Sequence, residues 1–312
     1  MKTRAALPPF AVGLVRLRRP FIPELDQPMS HPPPHPSLKS ISRAPTGISG
    51  AVGFILLLLL LGPATSQAAA QTDFYNLDKD RPLRVEDAYA TKRWAFELKA
   101  APLTLSQDED GVLRYAPSLE LKHGLLPGVE VSVGQHLDVS RVDSETSTGL
   151  GSLELSALAN LWVESRTLPA VGVRVTGHVA TESEADSWME IRGLATRGLG
   201  GPVRAHLAGG WMSGDGRAED WWVGLALDYV LPFHHTLLLA ETWIAEPRTG
   251  SDDELDRTVH STMGARYQLS PTLAMDAGVG RSWAGQSRQD WFLTLGVTYE
   301  FAVRALMPRR NR

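Results

Sequence analysis

The stretch Trp291-Phe292-Leu293-Thr294-Leu295-Gly296-Val297-Thr298-Tyr299-Glu300-Phe301 decides the fold. Its alternate positions Trp291, Leu293, Leu295, Val297, Tyr299 and Phe301 are apolar, with rings at both ends. The positions between them, Phe292, Thr294, Gly296, Thr298 and Glu300, are mostly small or polar. In an extended chain successive side chains point to opposite faces of the sheet. An aliphatic centre with aromatic edges suits a face in contact with hydrocarbon, because aromatic rings favour the two membrane interfaces. The stretch is therefore read as the last strand of a transmembrane β-barrel.

Working backwards, similar runs recur. Twelve are predicted, at about 93–103, 112–122, 129–139, 150–163, 170–180, 188–198, 203–212, 221–231, 236–245, 258–268, 272–281 and 291–301. The eighth sets Trp221, Val223, Leu225, Leu227, Tyr229 and Leu231 against Trp222, Gly224, Ala226, Asp228 and Val230. Connections after the even runs are short and carry Gly or Pro, as in Leu199–Pro202 and Ser270–Pro271. Those after the odd runs are longer and mostly acidic, as in Val142–Thr148, Ser213–Asp220 and Glu246–Asp256. Short turns on one side and longer loops on the other are expected of an antiparallel transmembrane β-barrel of about 12 strands in the bacterial outer membrane. A soluble antiparallel sandwich or barrel would also alternate. Against that alternative stand the number of runs and the position of Trp94, Trp211, Trp221 and Trp291 near run ends.

Upstream, Met1 to Gly50 is rich in Pro, Arg and Ser and has no period. Ala51 to Leu61 is apolar, with Lys39 and Arg43 before it and Ala68-Ala69-Ala70 after it. A basic flank, a short apolar core and a small-residue end make a secretory signal. Cleavage after Ala70 is expected; an uncleaved anchor is the alternative, and translation could start at Met29 instead of Met1. The expected organisation is 1–70 extension plus signal, 71–92 periplasmic N-terminal arm, 93–301 barrel and 302–312 tail. Phe301 is followed by eleven residues, where such barrels usually end on a terminal aromatic. Either a periplasmic tail is tolerated or the last strand runs further.

The 312 residues contain no Cys, which excludes a disulfide framework and a thiolate metal site. The formal charge of −4 is uneven. Residues 1–70 hold seven Lys/Arg and two Asp/Glu, +5, leaving 24 basic and 33 acidic residues, −9, in the rest. An acidic mature chain argues against a nucleic-acid partner. No phosphate loop or dinucleotide fingerprint is present, and no cofactor or metal is expected. His234 and His235 fall in an expected turn, without further ligands nearby.

If the apolar parity meets lipid, the other parity faces the lumen with charges of both signs. The candidates chosen for the lumen wall are Arg114, Glu120, Arg174, Arg192, Arg204, Asp228, Glu241 and Arg266, each charged on the inward parity. Charges there are costly unless paired or wet. They therefore read either as structural ion pairs or as a polar path. A Ser–His hydrolase of the barrel type needs both groups on one outward face. Here His260 and Ser261 are adjacent and point to opposite faces, so no enzyme is expected.

The chain resembles the outer-membrane porins or transporters associated with the meta-pathway of phenol degradation. The resemblance rests on Asp87-Ala88-Tyr89, Arg93 to Leu98, Pro117 to Val131, Thr196 to Gly200, Asp228-Tyr229-Val230 and Thr236 to Trp243, covering roughly residues 85 to 301. It implies a single-chain barrel and uptake of small hydrophobic or aromatic compounds. The partners expected are outer-membrane lipid, a small-molecule solute, and the barrel-assembly machinery through Trp291 to Phe301. A filled barrel with a structural or surface-interaction role is the alternative.

Overall fold

The computed structural model of the chain describes residues 75–108, 111–142, 145–181, 186–215, 219–232, 235–247, 257–284 and 289–307. The expected signal, its cleavage point, His234 and the last residues of the tail lie outside them. The described strands are β1 (Ala95–Asp108), β2 (Leu113–Tyr115), β3 (Ser118–Leu126), β4 (Val129–Val142), β5 (Glu145–Trp162), β6 (Ala170–Val179) and β7 (Trp188–Gly200). They continue with β8 (Val203–Gly214), β9 (Glu219–Leu231), β10 (Thr236–Pro247), β11 (Thr258–Ser270), β12 (Leu273–Ala284) and β13 (Gln289–Ala302).

From β3 onward each strand pairs antiparallel with the next in the chain, and β13 pairs with β1 from Ala95↔Ala302 to Asp108↔Gln289, so the sheet closes. The thirteen segments make twelve staves, because β2 and β3 share one position between β1 and β4. The run expected as continuous over 112–122 is interrupted at Ala116-Pro117. Proline has no N–H to give to a ladder, which ends the pairing there. Tight turns follow where the sequence allows them. Gly200 and Gly201, at φ +99° and +60°, take the left-handed backbone that joins β7 to β8.

Along β9 exposure alternates residue by residue: Val223, Leu225, Leu227 and Tyr229 are exposed, while Trp222, Gly224, Ala226 and Asp228 are buried. The same parity brings Val279, Leu295, Leu207 and Val175 to the outside. Trp211 pairs with Trp221 on the loop side, and Tyr229, Tyr267 and Tyr299 mark the opposite rim. A closed ring with an aliphatic belt between aromatic rims is an outer-membrane β-barrel, in which every backbone donor and acceptor is satisfied by a neighbouring strand. No described helix is long and apolar enough to cross a membrane.

The belt carries a direct test. Leu225, 52% exposed, sits mid-strand on the outer face. Leu225→Arg is expected to lower folding stability in lipid vesicles by about 2–4 kcal/mol, the range for Arg at the bilayer midplane. Ala226→Ser on the buried face sets the comparison. Equal stability of Leu225→Arg and the parent would place water outside the ring.

Candidate functional site: a plugged lumen

The inner wall is polar, and the segment preceding β1 meets it. Residues 75–92, expected as a periplasmic arm, make no separate arm. Lys79 Nζ lies 2.8 Å from Glu154 of β5. Arg81 donates to the Ala100 carbonyl of β1 at 2.6 Å. The Arg84 and Val85 amides donate to Glu241 of β10, each at 2.9 Å. Glu86 meets Arg174 of β6 at 2.8 Å. The Ala88 amide donates to Thr196 of β7 at 3.1 Å, and its carbonyl accepts from Asn160 of β5 at 2.8 Å. Thr91 donates through its amide and hydroxyl to Glu130 of β4, at 2.8 Å each. A segment that bonds inward-facing groups on strands all the way around a closed ring lies inside that ring. It is a plug.

The plug rises from the turn side and returns to it. Tyr75 accepts from Arg204, at the turn end of β8, through its carbonyl. The Arg84 guanidinium reaches Glu219, at the loop end of β9. Its apolar residues Leu77, Leu83, Val85 and Ala88 pack with Leu158, Leu194, Met212, Trp222, Leu237 and Leu239 of the wall. Burying each of the larger side chains stabilises seating by about 1.5–3 kcal/mol. Gly264 and Gly278 leave the room that Pro82 fills, since a Cβ on either would fall 2.8 or 2.6 Å from its ring.

Three polar knots hold the plug. In the first, Asp78 is buried among Lys99, Lys122 and Arg266, and bonds Arg266 directly. Burial opposes its charge, but these three cations prevail and hold the carboxyl well below its ordinary range. In the second, the Arg174 fork is saturated: Nε on Glu86 at 2.8 Å, Nη1 on Ser156 at 2.9 Å, Nη2 on Glu130 at 2.7 Å. In the third, Thr196, His206 and Asp228 form a chain at 3.1 and 2.9 Å beneath the Ala88 amide, and Arg204 closes on Asp228 at 2.9 Å.

The eight residues chosen from sequence divide accordingly. Arg174, Arg192, Asp228, Glu241 and Arg266 are buried in these knots or beside them. Arg192 pairs with Glu190 at 2.9 Å and Glu86 at 3.4 Å. Arg204 sits part-exposed at the turn end with Tyr75, and Glu120 lies 3.8 Å from Lys99. Arg114 is the exception, 65% exposed at the loop-side mouth beside Asp108. Sequence reasoning missed the partners Asp78, Glu86 and Asp87. Their signal was the dense mix of Asp78, Lys79, Asp80, Arg81, Arg84, Glu86 and Asp87 in a stretch that also carries Leu77, Leu83 and Val85. His260 and Ser261 do face opposite ways: Ser261 bonds Thr242 outside at 3.0 Å, while His260 bonds Ser282 inside at 2.9 Å.

Asp87 gives the plug a pH dependence. Its carboxylate accepts from the Leu77 and Tyr89 amides at 3.1 Å each. Burial pushes it from 3.8 up to about 7, against the pull of Arg204 and those two amides. The seated carboxyl therefore binds a proton that the unseated one releases. Its protonated form favours seating at low pH, and seating weakens as pH rises through the window from 3.8 to about 7. Hydrogen exchange at the Leu77 and Tyr89 amides, corrected for intrinsic rates, is expected to quicken between about pH 5 and about pH 8. Asp87→Asn should flatten that profile; a parent profile already flat would contradict it.

The fold is shared with a solved structure, and two others are similar in part. An outer membrane channel from Pseudomonas putida F1 superimposes with a TM-score of 0.55 at 16% identity, covering 69% of this chain and 98% of that one. The NanC porin gives 0.47 at 8%, covering 65% and 98%, and the KdgM porin 0.46 at 10%, covering 66% and 98%. No protein-family model matches the sequence. No curated protein matches it either.

Proposed function

We propose that this barrel is an outer-membrane channel for small solutes, closed at rest by its own N-terminal plug. The observation that carries the reading is the form of closure. The lumen is filled by a separate covalent segment entering from the turn side, not by side chains of the wall alone. A segment held by ion pairs and hydrogen bonds to all sides can be withdrawn or rearranged while the strand ladders stay intact. Solutes of the aromatic kind implied by the family resemblance would meet Trp243, His260 and Phe292, which stack at 4.8 and 5.1 Å on the inner wall toward the loop side.

Planar-bilayer recording of the chain from Gln71, beside a chain starting at Arg93, tests the reading. The longer chain should be mostly closed and the shorter one should conduct steadily. Failure of both to conduct, with both folded, would instead favour a filled barrel with a structural role.

A further inference from the structure

Near the plug's highest point, the guanidinium carbon of Arg84 lies 4.4 Å from the ring centroid of Trp243 and 4.5 Å from that of Trp222. Its two terminal nitrogens meet the two oxygens of Glu219 at 3.1 and 2.6 Å. The wall supplies all three of these groups, and it holds the two rings independently of Arg84. Trp222 is fully buried, and its Nε1 donates to Glu190 at 2.6 Å. Trp243 stacks on His260. Glu219 opens β9 at the loop side. The cage therefore belongs to the barrel, and only its occupant belongs to the plug.

The occupant is also separable from its backbone. The Arg84 amide is held by Glu241, and its carbonyl accepts from Arg192 at 3.3 Å. The side chain can swing away while those bonds persist. Arg84 and Glu219 keep 17% and 18% of their side chains exposed, whereas Trp222 behind them is buried. The open side of the cage thus faces solvent from the loop end. The Arg192 guanidinium, 4.8 Å from Trp222, is neutralised by Glu190 and does not cancel the carboxylate at the mouth.

We infer that Trp222, Trp243 and Glu219 form a binding site for an organic cation with a guanidinium head, and that Arg84 is its tethered internal occupant. The inference rests on the channel reading and names a solute class for it. Indole faces attract weakly hydrated cations, and a planar guanidinium stacks on them while its edge pairs with a carboxylate. A strongly hydrated inorganic cation gains little from the rings. The tethered side chain competes at an effective concentration in the mM range, so a free ligand is bound weakly by the parent and well once Arg84 is removed.

Isothermal titration of n-propylguanidinium chloride into the folded chain in detergent tests this. Arg84→Ala should bind it about tenfold more tightly than the parent, the gain from removing a tethered competitor. Adding Glu219→Gln or Trp243→Leu to Arg84→Ala should return binding to the parent's level or below, and potassium chloride should give no saturable heat. Arg84→Ala binding no more tightly than the parent would overturn the inference, as would binding that survives Trp243→Leu. Glu219→Gln in the otherwise unaltered chain serves as the check if Arg84→Ala does not fold: it should abolish the parent's weak binding, and unchanged binding would be decisive against the site. Calorimetry needs no membrane, so a barrel that binds but never conducts ends the channel reading alone. One that conducts without binding ends this inference alone.

Discussion

Asp78→Ala is expected to unseat the plug and to cost the folded barrel about 3 kcal/mol, the lower end of the range for removing one partner of a buried ion pair, because Lys99, Lys122 and Arg266 keep more distant carboxylates in Glu97, Glu130 and Asp276. The substitution leaves Lys99, Lys122 and Arg266 facing one another across the space the carboxylate filled. None of them can retreat to bulk water, because each side chain is buried on the inner wall. The three cations come from β1, β3 and β11, which lie on both sides of the closing β13–β1 seam. Their repulsion therefore acts on the wall as well as on the plug. Denaturant unfolding in detergent micelles reads the stability, and bilayer conductance reads the plug. Stability within about 1 kcal/mol of the parent would mean that Asp78 is solvated like a surface residue.

Arg174→Ala is the second large effect, about 3–5 kcal/mol. Here two buried carboxylates lose their shortest cationic partner: Glu86 on the plug is left with Arg192 at 3.4 Å, and Glu130 on β4 with Lys122 at 3.6 Å. Arg174→Lys should not rescue the loss. A single ammonium cannot reproduce a planar fork that meets Glu86, Ser156 and Glu130 at once. The double variant Arg174→Met with Glu86→Gln should recover part of it, because removing charges from both sides leaves less unpaired. A lysine variant as stable as the parent would show that the fork geometry is immaterial.

The barrel was legible in sequence because its period is simple. β9 repeats apolar-out and small-or-polar-in from Val223 to Tyr229, and nothing but an extended strand between two different solvents needs that order. Strand ends on the loop side were harder to place. β5 begins at Glu145 and pairs Glu145 with Val142, so most of the expected loop over Val142–Thr148 is a hairpin. Glu145-Thr146-Ser147-Thr148 is polar at every position because it stands clear of hydrocarbon, and alternation has no cause there. The break at Pro117 was visible as a proline, but the neighbours that complete the stave on either side of it are set by long-range pairing.

The site was half legible. Parity placed Arg174, Arg192 and Arg266 on the inner wall, since each charge falls on the buried side of its strand. It could not supply their partners. Residues 75–92 have no period, because the segment is neither strand nor helix and each residue answers to a different stave. Asp78 answers to Lys99 and Arg266, Glu86 to Arg174, Ala88 to Thr196 and Asn160. Only the ring's closure brings those partners together. The apolar Leu83 and Val85, which a solvated arm has no use for, were the local sign of burial.

Because the sequence has no cysteine, one introduced thiol reports on one place. Val85→Cys sits where exposure is 0%, enclosed by the wall near Gly224 and Trp222. The decisive measurement is its labelling by a membrane-impermeant maleimide in isolated outer membranes. A plug seated inside a closed ring leaves that thiol unlabelled until denaturant opens the barrel. Labelling in intact membranes as fast as in the unfolded chain would contradict it, and the segment would then be an arm in open solvent after all.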